Sequence, residues 1–120
     1  MSRRHIIRKY QLLDQADTTT NPESAFTDVQ QVDFVSYEFG LDATVNATLD
    51  VQYCNDERID ASSVFKDLDF NQTLILDGSV DTDGIVHVEN KGFKFLKLKI
   101  TNNGGTGNID AWITGLNRGA

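Results

Sequence analysis

The chain has 120 residues, of which 39% are hydrophobic and 24% charged, and its formal net charge is −7. That is one ordinary domain with enough apolar content for a core, so wholesale disorder is excluded. A single cysteine, Cys54, excludes an intrachain disulfide, and apolar runs of two or three residues exclude a membrane-spanning helix.

Residues 1–25 read as an extended arm, separate from a domain at 26–120. Arg3, Arg4, Arg8 and Lys9 place four positive charges in the first nine residues, with no acid among them. No apolar stretch follows to make this start a secretory leader. Tyr10, Leu12 and Leu13 supply apolar anchors, and Asp17-Thr-Thr-Thr-Asn-Pro-Glu23 is polar and turn-rich. The arm is expected to be extended or irregular, to tie to something outside the domain or fray, and to be dispensable for folding. The remaining 111 residues hold seven basic against eighteen acidic side chains, a net of −11. Such a body repels polyanions, so direct contact with nucleic acid is not expected.

From Val29 onward the period is two. Val35, Tyr37 and Phe39 alternate with polar residues, and then Ala43, Val45, Ala47, Leu49, Val51 and Tyr53 do so without a break. Residues i and i+2 share a face only in a strand, so this stretch has one buried and one wet face. A polar loop at 55–63 follows. Shorter β-like pieces come next at Val64–Phe70, Thr73–Leu76 and Ile85–Glu89, punctuated by Gly78 and Asp83-Gly84. Leu96, Leu98 and Ile100 form the buried face of a second strong strand, with Lys97 and Lys99 on the wet face. Asn102–Gly107 reads as a turn, and Ile109, Ala111 and Ile113 form the last strand. Seven or eight short strands with no sustained helical period predict an all-β antiparallel sandwich or jelly roll.

Trp112 falls out of phase with Ile109, Ala111 and Ile113, so it faces away from their side. It either packs under the arm, touches a neighbour or binds a ligand. With Tyr37, Tyr53, Phe93 and Phe95 it is also a candidate for an aromatic sugar platform, although aromatics in a small sandwich are mostly core.

Catalytic signatures are weak. The histidines are His5 in the arm and His87 in a strand, without zinc-ligand spacing or a Gly-x-Ser-x-Gly elbow. Asp67 and Asp69 would share a strand face, where they read as edge-solubilising charge rather than a catalytic pair. The sequons at Asn46 and Asn71 carry little weight without a leader. Asp77, Asp81 and Asp83 imitate the start of a calcium loop. Asn90 stands where the bidentate glutamate belongs, so an acidic turn is the expected reading. The residues predict no enzyme, no cofactor and no metal.

Three stretches together carry a resemblance: Ala47–Asp56, Phe65–Leu68 and Gly92–Ile113. Their pattern runs from a strand through a Cys-Asn-Asp loop and aromatic-x-x-Leu to a glycine-led aromatic strand, a Gly-rich turn and a final strand. Over residues 29–114 this resembles small β-sandwich structural proteins of tailed-bacteriophage virions. More loosely, it is similar to discoidin-like jelly rolls that bind carbohydrate. Those often carry a paired cysteine, whereas Cys54 is alone.

The virion resemblance implies a capsid decoration or cement protein, or a tail component, present in many copies. Its partners would be copies of itself and a major capsid or tail protein, with no membrane involved. It would be made in the host cytoplasm and end in the virion. Its contact residues would be Arg3, Arg4, Arg8, Lys9, Tyr10, Leu12, Leu13 and Trp112. The looser resemblance implies a carbohydrate- or receptor-binding module of a tail, fibre or cell surface.

Overall fold

A computed structural model describes residues 6–116. The period-two patterning becomes nine strands: β1 (Ile6–Asp17), β2 (Thr27–Asp28), β3 (Phe34–Leu41), β4 (Asn46–Cys54), β5 (Lys66–Asp67), β6 (Leu74–Asp77), β7 (Asp83–Glu89), β8 (Phe95–Asn102) and β9 (Asn108–Leu116). Among the described residues the one helical element is a 3₁₀ turn at Thr18–Thr20. Asp17 caps it by accepting the Thr19 N–H.

The strands pair as a nest. β1 pairs with β9, β2 with β8, β3 with β7, and β4 with both β5 and β6, all antiparallel. This is the pairing of one long hairpin. Rolling it up also sets β3 against β9 and β4 against β8, and two sheets result. One has the order β1-β9-β3-β7; the other runs β2-β8-β4-β5, with β6 also on β4. The architecture is a jelly roll, the expected antiparallel sandwich.

The core lies between the sheets and uses one face of each strand. Val35, Tyr37 and Phe39 of β3 meet Leu49 and Val51 of β4, Leu96, Leu98 and Ile100 of β8, and Ile109, Ala111 and Ile113 of β9. Each large aliphatic side chain removed from water contributes about 1.5–3 kcal/mol. Ala43 departs from the expected pattern. It is exposed, because the Val45 N–H bonds the Asp42 carbonyl and turns the chain before β4 begins. The Tyr37 hydroxyl sits in this core without a hydrogen-bond partner, and burial pushes its ionisation far above the usual tyrosine range.

The expectation of an arm separate from the domain is corrected. Ile6–Asp17 is extended, but it is the edge strand of the domain's own sheet. Three register shifts let its twelve residues follow the nine of β9. Leu13 is 7% exposed and belongs to the core, and Thr18 is fully buried. Residues 21–24 continue along the edge of β8. The Asn21 carboxamide accepts from Asn102 N–H, the Pro22 carbonyl from Ile100 N–H, and Ser24 exchanges bonds with Leu98. Removing residues 1–25 would therefore uncover both sheets along one flank.

Candidate functional site

Of the residues expected to make assembly contacts, Arg3 and Arg4 lie outside the described residues. Most of the others are engaged within their own chain. Leu13 is buried and Leu12 packs against the core. The Tyr10 hydroxyl lies 2.8 Å from the Thr27 hydroxyl, linking the two sheets across the flank. Lys9 pairs with Glu38 and places its ammonium 5.3 Å from the centre of the Trp112 ring. Arg8 is exposed on β1.

Trp112 thus lies beside the segment read as an arm, on the outer face of its sheet as its phase required. Its ring leans over Gly40, where a Cβ would come within 3.7 Å of it. Lys9, Glu38, Trp112, Ile85, Asp81 and Asp83 line an open depression of about 630 Å³. The aromatic platform does not form as one surface. Tyr37 is fully buried, and Tyr53 packs on Phe93 at 4.9 Å against the core. Phe95 lies on the outer face of the other sheet, where Phe26 meets it edge-on at 5.5 Å and stacks on Phe65. Lys97 caps Phe65 at 4.7 Å and pairs with Glu23 at 2.8 Å. That hydrogen bond holds the Glu23 carboxyl below its usual range.

The aspartates of the β6–β7 loop serve the turn. One Asp77 carboxylate oxygen accepts from the Ser79 N–H at 3.0 Å and from its hydroxyl at 2.6 Å, which lowers the Asp77 pKa. Asp81 accepts from the Asp83 N–H at 3.0 Å. Among the described residues no group of three or more His, Cys, Asp or Glu side chains is placed to hold a metal ion. Asp67 accepts from the Gln52 carboxamide at 2.7 Å, while Asp69 lies beyond the two-residue β5 and caps a turn at Asn71. The two do not form a carboxylate pair on one strand.

His87 does find a hydroxyl: Ser36 Oγ lies 2.8 Å from its Nδ1. Sequence reasoning missed this pair, because it depends on the β3–β7 register. Both residues stand on regular strands, and the pair is exposed. Among the described residues no carboxylate is hydrogen-bonded to the ring to orient it as a base.

The chain matches no protein-family model and no curated protein.

A second surface was also missed. On the flank carrying β6 and β7, Ile75, Val80 and Ile85 are 50%, 83% and 55% exposed. Leu41, Leu76, Ile75 and Val80 line a groove of about 360 Å³, with Asp77, Asp81 and Asp83 beside them. Ile75, Leu76 and Val80 fall within six consecutive residues, and the roll-up of the hairpin sets Leu41 of β3 beside them.

Proposed function

We propose that this protein is a non-enzymatic structural subunit of a tailed-phage virion, a capsid decoration or cement protein. It would act in contact with copies of itself and with a major capsid or tail protein. The observation that carries the reading is the apolar flank: Ile75, Val80 and Ile85 stand half or more exposed beside a sheet edge that no described strand covers. Ile75 and Val80 line one groove; exposed apolar surface gathered in this way marks interaction sites, and an open edge strand invites pairing or packing. The sequence resemblance supplies the virion setting. The jelly roll is used by viral capsid proteins and lectins alike, and shared architecture alone assigns neither role. The test is co-sedimentation of the full chain with virion particles, beside a Val80→Arg variant. The full chain should pellet with particles and the variant should remain in the supernatant. Failure of the full chain to pellet would remove the virion role.

A second reading, carbohydrate binding, draws on the depression around Trp112. An aromatic ring flanked by Glu38, Asp81 and Asp83 offers a stacking face and hydroxyl acceptors. Trp112 is the only tryptophan in the chain, so its fluorescence reports that surface directly. A saturable change on titration with mono- and oligosaccharides would favour this reading, and a flat response would discard it.

A further inference from the structure

The ladder registers give the sandwich two chemically unequal poles. Asp17 pairs with Asn108, Gly40 with Asp83 and Asp110, and Asn46 with Asp77. The Asn108 N–H also donates to Asp42. These contacts gather residues 15–20, 40–46, 76–84 and 102–110 at one end. Together the four segments hold six aspartates and no lysine or arginine. At the other end Ile6 pairs with Leu116, Leu116 with Phe34, and Phe34 with Glu89. Arg3 and Arg4 precede Ile6, so the basic start of the chain is attached at the pole opposite the aspartates. The apolar groove beside β7 lies at the acidic pole, since Val80, Asp81 and Asp83 line it.

Within one copy the groove lies far from Ile6. Asp83 is level with Asp110, six residues along β9 from Leu116, and lies three strands across from β1. That is roughly 20 Å along the sheet and 14 Å across it. Arg3 and Arg4 stand within three residues of Ile6, a backbone reach of about 10 Å at full extension. An arginine side chain does not close the difference.

We infer that copies of this chain associate head to tail, the Met1–His5 segment of one copy docking on the Val80–Asp83 groove of the next. Arg3 and Arg4 carry the charge that Asp81 and Asp83 complement, and arginine–carboxylate pairing is directional as well as attractive. Met1 supplies a flexible apolar side chain for a groove floored by Leu41 and Leu76. The contact joins two different surfaces, so it is heterologous and generates a ring or an open row rather than a two-fold dimer. This inference rests on the assembly reading above and names its interface.

The experiment is sedimentation of the full-length chain at low salt with two variants. One, Arg3→Glu/Arg4→Glu, spoils the basic segment; the other, Val80→Arg/Asp83→Lys, spoils the groove. Neither Val80 nor Asp83 is buried, and the Asp81 turn is left intact, so both variants should fold, which circular dichroism checks. The unaltered chain should form multimers that dissociate as salt rises. Each variant alone should associate roughly tenfold or more weakly. Mixed together, they should form one-to-one dimers that grow no further, since each retains the half that the other lacks. A monomeric full-length chain, a variant that multimerises as well as the unaltered chain, or a mixture that stays monomeric would each overturn the inference. Particle co-sedimentation separates the two claims. Binding to particles without self-association sinks the head-to-tail contact and leaves the virion role standing. Self-association through these residues without particle binding does the reverse.

Discussion

The two flanks of the jelly roll finish their sheets in opposite ways. On the β1–β2 flank the edge strand is bulged three times, carries Arg8 and Lys9, and is tied across the sandwich by the Tyr10–Thr27 bond. On the β6–β7 flank the outer strand β7 follows β3 through seven residues without a register shift, and Ile75, Val80 and Ile85 stand exposed on that flank among aspartates. Bulges and charge are the usual means of keeping an edge from pairing with another chain. One flank has both devices; the other carries charge at Asp81 and Asp83 but no bulge. An edge left regular, with exposed apolar side chains beside it, is an edge available to a partner, so the asymmetry separates the side that closes the fold from the side that offers contact.

The largest effect expected from this comparison is on the closed flank. A chain lacking residues 1–25 loses β1, Leu13, Thr18 and the Pro22 and Ser24 bonds to β8, and should show no cooperative thermal transition by circular dichroism. A native-like melt would mean that the flank merely decorates the core. At intermediate scale, Leu13→Ala should cost about 2–5 kcal/mol in urea denaturation, because it opens a cavity. Ile85→Ala on the open flank should stay within about 0.5 kcal/mol. Equal costs at the two sites would erase the distinction.

The smallest effect is electrostatic. Lys97 holds the Glu23 carboxyl below its usual value of 4.5, so the pair stabilises fully above that pH. The contribution is lost as pH falls through the lower folded value. The melting temperatures of the native chain and a Glu23→Gln variant should differ slightly at pH 7 and converge in acid. They should also converge in high salt, since the pair is partly exposed.

The strands that alternate strictly were legible without coordinates. Leu49 and Val51, and Leu96, Leu98 and Ile100, are buried where period two placed them. Trp112 faces outward for the same reason. β1 was not legible as part of the domain. Its bulges put Ile6, Ile7, Tyr10, Leu12, Leu13 and Ala16 at uneven spacing, and its basic residues imitated a detached charged tail. The features that protect an edge from mispairing are the same features that hide it from a periodicity test. Contacts that depend on register, such as Ser36 with His87 or Leu41 with the β6–β7 segment, leave no local trace because their members come from distant parts of the chain.

The nested pairing also sets an order of events during synthesis. β1 has no partner until β9 leaves the ribosome, and β9 is also the strand that joins β1 to β3. At roughly 5–20 residues per second, the ninety or so residues from Asp17 to Asn108 take on the order of 5–20 s to make. Throughout that interval β1 is an orphan strand on a growing polysome, close to identical strands on neighbouring chains. A flat, apolar β1 would seek those neighbours and seed aggregates. A bulged one, with Arg8 and Lys9 in its first half, pairs poorly with its own copies and waits for the last strand of its own chain.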